Sequence, residues 1–201
     1  MDGPYRASKL DDLPVRKGEL LADFDLRAGP RDPFSAFDDV HVTATFEPAG
    51  YAVVCKTRDG MGYPMWRYEL HDVALQATVT APATGASDVR LTVRRFDVES
   101  KRCCYTATFQ PNLGTARLYL RVAGAWSALG PPQPAPSLRR GESNVLEVRV
   151  AGTAFLLLAN DEPVLSVQDR SLGRGVPSIE LGPEGAGDRF VVHGVRVFGV
   201  S

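Results

Sequence analysis

Hydrophobic and polar residues alternate along most of this chain. Residues 73–80 (VALQATVT) and 89–94 (VRLTVR) show the alternation most clearly. A period of two places successive side chains on opposite faces of an extended strand, so the pattern predicts β-strands with one buried face. Residues 155–158 (FLLL) are apolar without interruption, which is typical of a strand buried on both faces.

Eleven to thirteen short segments have a strand pattern, at roughly regular spacing. The clearest are residues 20–26, 41–46, 51–56, 73–80, 89–94, 103–109, 117–122, 146–150, 155–158, 164–167, 178–181 and 190–200. The chain has 19 Gly and 15 Pro, which are spread between these segments and mark turns. Residues 66–70 could equally begin a helix. Short strands joined by Gly and Pro turns predict an all-β, antiparallel sandwich or barrel.

The domain organisation follows from the same pattern. We expect residues 19–201 to form a single sandwich domain and residues 1–18 to be an N-terminal tail, a candidate for disorder. The Pro-rich stretch 127–141 is too short to link two domains. The N-terminus lacks the apolar core of a signal peptide, and no run of about 18 apolar residues could cross a membrane. We therefore expect a soluble protein without membrane insertion, cytoplasmic as it stands or extracytoplasmic if it is a fragment.

Composition and charge exclude one class of partner. Lys and Arg total 23 against 24 Asp and Glu, which gives a net charge of -1. A protein that binds the phosphate backbone normally carries a strong basic surplus, so we expect no nucleic-acid partner.

The three cysteines are too few for a disulfide framework. Cys103 and Cys104 are adjacent and should point to opposite faces of a strand, while Cys55 lies far away in the sequence. We expect buried, unpaired thiols, because free Cys packs as a small hydrophobe. A disulfide between Cys55 and one of the pair is the alternative.

The C-terminal half carries a family likeness. Residues 144–152 (NVLEVRVAG) followed by 155–164 (FLLLANDEPV) resemble a strand and hairpin of the concanavalin A-like lectin/glucanase superfamily. The resemblance continues in residues 169–175, 179–182 and 190–197, and upstream in 72–80, 102–109 and 117–126. It covers about residues 20 to 200 and is nearest to the laminin-G-like and 3-keto-disaccharide-hydrolase-like group. It implies an antiparallel jelly-roll sandwich. His193-Gly194 departs from the usual Asp-Asn of the closing strand.

The sequence lacks the paired-carboxylate pattern of glucanases on this fold. These enzymes carry a Glu-x-Asp-x-x-Glu pattern, in which one acid protonates the leaving oxygen and the other attacks. The nearest candidates, Glu69 with Asp72, Asp97 with Glu99, and Asp161-Glu162, do not match it. There is also no Gly-x-Ser-x-Gly motif and no phosphate-binding glycine loop. These observations argue against an enzyme.

Metal and cofactor sites have little support. His41, His71 and His193 are too far apart in the sequence for metal-ligand spacing, and we expect them to be structural. Calcium at Asn160-Asp161 or at Asp23 with Asp25 is conceivable, although turn chemistry explains Asn160-Asp161 without a metal. We expect no cofactor.

The candidate binding surface is a sheet face. Arg117, Tyr119 and Arg121 share one side of a strand, and Arg90 and Arg94 share a side of another. If these strands are neighbours in the concave sheet, they form an Arg-rich surface around an aromatic ring. The predicted ligand-binding residues are Arg90, Arg94, Arg117, Tyr119, Arg121 and Trp126. A sugar ring would stack on Tyr119 or Trp126, and the guanidinium groups would bind its hydroxyls or carboxylates. An ordinary solvated face is the alternative.

Three functions remain open from the sequence. The first is a non-catalytic module that binds a carbohydrate or similar ligand. The second is a glycoside-processing hydrolase of the 3-keto-disaccharide type, and the third is a sandwich that binds a protein partner. Two convergent carboxylates in a groove would favour the enzyme, and an apolar patch without a groove would favour the protein partner. Trp66 and Tyr68 would add an aromatic rim to a groove or pack in the core.

Overall fold

The computed structural model describes residues 6–7, 15–30, 34–58, 61–65 and 69–200, with the backbone alone for 6–7 and 61–65. This part of the chain contains seventeen strands and one 3-10 turn, Leu26–Ala28. The strands are β1 (Arg6–Ala7), β2 (Lys17–Asp25), β3 (Phe37–Asp38), β4 (Val42–Glu47), β5 (Gly50–Cys55), β6 (Met61–Met65), β7 (Val73–Thr80), β8 (Asp88–Val98), β9 (Lys101–Gln110), β10 (Thr115–Val122), β11 (Ala125–Ala128), β12 (Gln133–Pro134), β13 (Ser143–Ala151), β14 (Ala154–Ala159), β15 (Glu162–Gln168), β16 (Val176–Gly182) and β17 (Arg189–Val200). No helix among the described residues is long and apolar enough to span a membrane.

The strands form two sheets in which neighbours run antiparallel. The described part of the large sheet has ten strands in the order β1-β15-β14-β13-β7-β17-β5-β4-β3, and β2 pairs with β17. The described part of the small sheet has seven strands in the order β11-β10-β9-β8-β16-β6, and β12 pairs with β10. Many spatial neighbours are distant in sequence, for example β7 and β17. The chain also passes from one sheet to the other, for example from β7 to β8, and so joins the two sheets into one sandwich.

The hydrophobic core lies between the two sheets. Tyr105 of the small sheet packs against Phe155 of the large sheet, with ring centroids 4.3 Å apart. Alternate residues of β8, namely Val89, Leu91 and Val93, are fully buried in this core. Because one face of each sheet is buried in this way, the polar residues between them are directed to the outer faces.

The strand pattern predicted the architecture correctly. β7 has the predicted bounds, and every residue of 155–158 is buried, as expected of a strand covered on both faces. Five of the described strands were not predicted: β1, β3 and β6, and also β11 and β12, whose residues lie largely in the predicted Pro-rich loop. Of residues 66–70, the first three lie outside the described residues, and Leu70 forms a bridge with Gly175.

Some residues of the predicted N-terminal tail belong to the large sheet. Arg6–Ala7 pair with β15, and β2 begins at Lys17. The Lys17 ammonium lies 2.8 Å from Oε2 of Glu147, a carboxylate that is only 2% exposed. The sandwich therefore includes part of residues 1–18, while 1–5 and 8–14 lie outside the described residues.

A β-bulge at Arg94 and Arg95 changes which alternate residues of β8 face the core. Val93 lies opposite Tyr105, and Phe96 lies opposite Cys103, so Arg94 and Arg95 both face Cys104. The backbone of Arg94 has a positive φ of 52°. The extra residue shifts the alternation of side chains by one position, so that Val93 and Phe96, three residues apart, both face the core.

All three cysteines are buried and unpaired. Cys103 lies in the core, whereas Cys104 contacts Thr106 on the opposite face, so the two adjacent residues do point apart. Burial, aided by the charge of Asp188, raises the pKa of Cys55 to about 11. Burial also raises the pKa of Cys104.

These thiols are expected to be unreactive in the folded protein. A thiol reagent such as dithionitrobenzoate attacks the thiolate, and burial disfavours both the thiolate and access of the reagent. At pH 8 we expect no rapidly reacting thiol in the native protein and three after unfolding in guanidinium chloride without a reductant. A count of one thiol instead of three after unfolding would contradict the unpaired state and indicate a disulfide.

Candidate functional site

The outer face of the small sheet carries a continuous row of polar residues. Arg117 of β10 lies opposite Thr108 of β9, which lies opposite Arg90 of β8. Arg90 in turn lies opposite Glu180 of β16. The strands that carry the predicted arginines are thus neighbours or next neighbours in one sheet.

Two aromatic side chains stand beside this row. Tyr119 follows Arg117 on the same face of β10, and Trp126 lies on β11 opposite Arg121. The two rings are edge to face, with centroids 6.0 Å apart, and Trp126 is 48% exposed. Each ring also has a guanidinium group 5.0 Å from its centroid, Arg117 at Tyr119 and Arg121 at Trp126. These contacts hold both rings in a defined orientation.

A cleft opens between the aromatic rings and the centre of the sheet. We call it the aromatic cleft, and its volume is about 250 Å³. It is lined by Asp88, Arg90, Thr106, Thr108, Gln110, Tyr119 and Trp126. It therefore combines ring surface with hydroxyl, amide, guanidinium and carboxylate groups.

Asp88 and Arg90 form the polar end of the aromatic cleft. Nε of Arg90 lies 2.7 Å from Oδ1 of Asp88, and Nη2 of Arg90 donates to Oδ2 at 3.0 Å. A Cβ added to Gly182 would come within 2.0 Å of Oδ1 of Asp88, so the absence of a side chain there makes room for the pair. Burial raises the pKa of Asp88, Arg90 opposes this rise, and the negative charge of Glu180 adds to it.

Five of the six predicted residues lie on this outer face, and the sixth, Arg94, does not. Its side chain is 3% exposed and points towards the sandwich interior because of the bulge in β8. Its guanidinium donates to the carbonyl oxygens of His71 at 3.1 Å, Leu172 at 2.8 Å and Gly152 at 2.6 Å. The assignment of Arg94 to the binding face is therefore corrected: every one of these contacts is structural.

Sequence reasoning missed several residues of the face. Thr106, Thr108 and Gln110 line the aromatic cleft from β9. The sequence contains a signal for them, since every second residue from 102 to 110 is polar or Cys, which is typical of the exposed face of a strand. Arg95 and Arg102 were missed as well, and both lie towards the other end of the same face.

A second cleft lies on the outer face of the large sheet, with a volume of about 190 Å³. Its charged groups pair with one another. Nε of Arg196 lies 3.2 Å from Oδ2 of Asp23, and Nε of Arg27 lies 3.0 Å from Oδ1 of Asp25. No Phe, Tyr or Trp of the described residues lines this cleft. It has less to offer a ligand than the aromatic cleft.

The positions considered for calcium have other partners. Oδ1 of Asn160 accepts a hydrogen bond from the Val145 amide at 2.8 Å. Asn160 and Asp161 both have positive φ, of 50° and 66°, as in a two-residue hairpin turn. Asp23 and Asp25 are the carboxylates paired with arginine in the cleft of the large sheet. In the part of the chain that the structure describes, no three His, Cys, Asp or Glu side chains are grouped to hold a metal.

The histidines lie in separate places. Nδ1 of His193 is 2.6 Å from the carbonyl oxygen of Ala49, and Nε2 is 2.8 Å from Oγ1 of Thr80. His41 contacts Thr57 at 3.5 Å. His71 uses its carbonyl to hold Arg94. The hydrogen bonds of His193 give it a structural role within β17.

Comparison with solved structures identifies the fold. A Bacillus subtilis protein of unknown function with a galectin-like fold matches with a TM-score of 0.69 and 9% identity, over 92% of this chain and 98% of that one. Carbohydrate-binding module CBM66 from Bacillus subtilis matches with a TM-score of 0.58 and 15% identity, over 84% and 98%. The chain has an antiparallel jelly-roll fold. A Clostridium perfringens endo-β-galactosidase that releases GlcNAcα1-4Gal matches this jelly roll with a TM-score of 0.60 and 10% identity, over 96% and 65%.

The jelly roll predicted from the sequence is thus confirmed as the fold. No family model and no curated protein matches the sequence itself. Identities this low carry the fold and not the activity. The function of this jelly roll must therefore be argued from its own side chains.

Proposed function

We propose that this protein is a non-catalytic carbohydrate-binding module whose ligand occupies the aromatic cleft. The observation that carries the proposal is the pairing of Tyr119 and Trp126 beside hydrogen-bonding groups of β8 and β9. Sugars present apolar C–H faces and a ring of hydroxyls, so their binding sites combine a flat aromatic surface with fixed polar groups. The carbohydrate-binding module among the structural neighbours supports the same reading.

The polar groups in and beside the aromatic cleft are held in place before a ligand arrives. Oγ1 of Thr106 lies 3.0 Å from Oγ1 of Thr92. Nε of Arg117 donates to the carbonyl oxygen of Gly130 at 2.9 Å, and Nη1 lies 3.4 Å from the Tyr119 hydroxyl. Since guanidinium has five N–H donors, Arg117 retains donors for a ligand. Such fixed groups reduce the entropy that a bound sugar must overcome.

A glycoside hydrolase is the second candidate, favoured by one observation. Asp88 lines the aromatic cleft and has a raised pKa, as a general acid does. Hydrolysis requires two carboxyl groups flanking the scissile bond. Among the described lining residues, Asp88 is the one carboxylate, and it is ion-paired with Arg90. Glu180 is 8% exposed and pairs with Arg102. This arrangement supports binding more than cleavage.

The double variant Tyr119→Ala with Trp126→Ala tests the proposal. We expect the unmodified protein to be retained on an oligosaccharide array and the double variant to lose at least about tenfold in affinity, since a stacking ring contributes roughly 1–2 kcal/mol. Both rings are on the outer face, so the melting temperature should fall little. Phe37→Ala, which removes an exposed aromatic of the large sheet, is the matched control and should bind normally.

Three outcomes would contradict this function. If the array retains nothing, or if the double variant binds as the unmodified protein does, the aromatic cleft is not a sugar site. Release of new reducing ends from a bound oligosaccharide, abolished by Asp88→Asn, would establish the hydrolase instead.

A further inference from the structure

A second cleft on the small sheet adjoins the aromatic cleft. We call it the basic cleft, and its volume is about 340 Å³. It lies between the β8–β9 and β10–β11 turns and is lined by Asp97, Ser100, Lys101, Arg102, Arg121 and Gly124. Arg121 joins the two clefts, because its guanidinium lies against the ring of Trp126.

Positive charge exceeds negative charge around this cleft. Three arginines, Arg95, Arg102 and Arg121, surround Cys104 on the outer face. Nη1 of Arg102 lies 3.4 Å from Oε1 of Glu180. Among the described residues, no ion pair connects Arg95 or Arg121 to a carboxylate. Like charges held together in this way are stabilised when an anion binds between them.

The charged form of Arg95 is destabilised by its surroundings. Burial lowers its pKa, and the positive charge of Arg102 lowers it further, while Glu180 and Asp97 oppose the shift. Because of the bulge in β8, Arg95 lies on the outer face opposite Cys104, whereas the side chain of Arg94 lies in the interior. A ligand that supplied negative charge would relieve the repulsion between the two guanidinium groups.

We propose that the ligand is an acidic glycan, whose carboxylate or sulfate group binds Arg102 and Arg121 in the basic cleft and the adjoining Arg95, while a sugar ring stacks in the aromatic cleft. This inference rests on the proposed carbohydrate-binding function and specifies the class of carbohydrate. Guanidinium groups bind carboxylate and sulfate oxygens through paired, charge-assisted hydrogen bonds. Tyr119 and Arg121 are two residues apart on β10, about 7 Å along the strand, so one or two adjoining sugar units can reach both clefts.

Matched pairs of glycans provide the test. The array should hold oligosaccharides that contain uronic acid or sulfate, each beside its own carboxyl-reduced or desulfated form. We expect the acidic member of a pair to bind at least about tenfold more tightly, since a charge-assisted contact contributes roughly 1.4 kcal/mol or more. The preference should decrease between 50 mM and 500 mM NaCl, because salt screens exposed charges. Uronate and sulfate pairs together show which oxyanion is preferred.

A double variant tests whether the arginines at the basic cleft cause the preference for acidic glycans. Arg95→Gln with Arg102→Gln should reduce binding of the acidic glycan to the level of its neutral partner. Arg196→Gln, on the opposite sheet and also ion-paired, is the matched control and should keep the preference. The comparison within a glycan pair uses the unmodified protein, so it stands even if the double variant unfolds.

The outcomes separate this inference from the function on which it rests. Equal binding of the acidic and neutral members of every pair overturns the acidic preference but leaves the carbohydrate function standing. Binding of acidic glycans that persists in Tyr119→Ala with Trp126→Ala indicates simple ion exchange and overturns the inference. Retention of no glycan overturns both.

Discussion

Replacing Arg94 with alanine is expected to destabilise the protein by about 3–5 kcal/mol, because three carbonyl oxygens would lose the charged hydrogen-bond donor that they share. The variant would leave the carbonyl oxygens of His71, Leu172 and Gly152 without their donor. It would also leave a void beside the ring of Phe155, which lies 5.5 Å from the guanidinium. For a chain of this size, the melting temperature should fall by about 10 °C.

The adjacent residue provides the control for Arg94. Arg95 has the same side chain and neighbouring backbone, but it lies on the outer face of the small sheet. We expect Arg95→Ala to change stability by less than about 1 kcal/mol, as is usual for substitutions outside the core. Thermal or guanidinium unfolding of the two variants measures the difference. Equal losses of stability would contradict the opposite placement of the two arginines.

Gly175→Ala is the second substitution with a large expected effect. A Cβ at this position would lie 2.4 Å from the carbonyl carbon of Arg94 and 2.5 Å from the amide nitrogen of Arg95. These are backbone atoms of the bulge and cannot rotate away. The φ of Gly175 is also unfavourable for other residues, at +157°. We expect a loss of about 3 kcal/mol from overpacking and backbone strain together.

Gly173 is the matched control, two residues earlier in the same segment. A Cβ there has no heavy atom within 4 Å among the described residues, and its φ lies outside the strained range. Gly173→Ala should therefore unfold at the same denaturant concentration as the unmodified protein, or slightly higher because alanine restricts the unfolded chain. If Gly175→Ala also unfolds there, the close packing against the bulge is wrong.

The sequence was a good guide to the fold because burial repeats every two residues. The odd-numbered residues of 89–93 are in the core, as their alternation indicated, and the unbroken apolar run at 155–158 is covered on both sides. Very short strands such as β3 and β12 have too few residues to show a period. They form because longer neighbours offer free hydrogen-bonding edges, which is a tertiary effect.

The site was only partly predictable, for a different reason. The alternation of side chains along a regular strand placed Arg90, Arg117 and Arg121 correctly. It fails for Arg94, because the bulge adds a residue to the strand there. The sequence does contain a trace of this shift, since the core-facing residues Val93 and Phe96 are three positions apart instead of two. The partners that strands bring from distant positions, such as Glu180 beside Arg102, depend on strand order and not on local pattern.

The bulge in β8 also affects how this chain should be aligned with other jelly rolls. A relative without the extra residue would have one position where this chain has both Arg94 and Arg95. An ungapped alignment would then match core positions to surface positions along the second half of the strand. A single gap placed at Arg94 restores the correspondence, and comparisons of binding residues between such proteins should be made only after that correction.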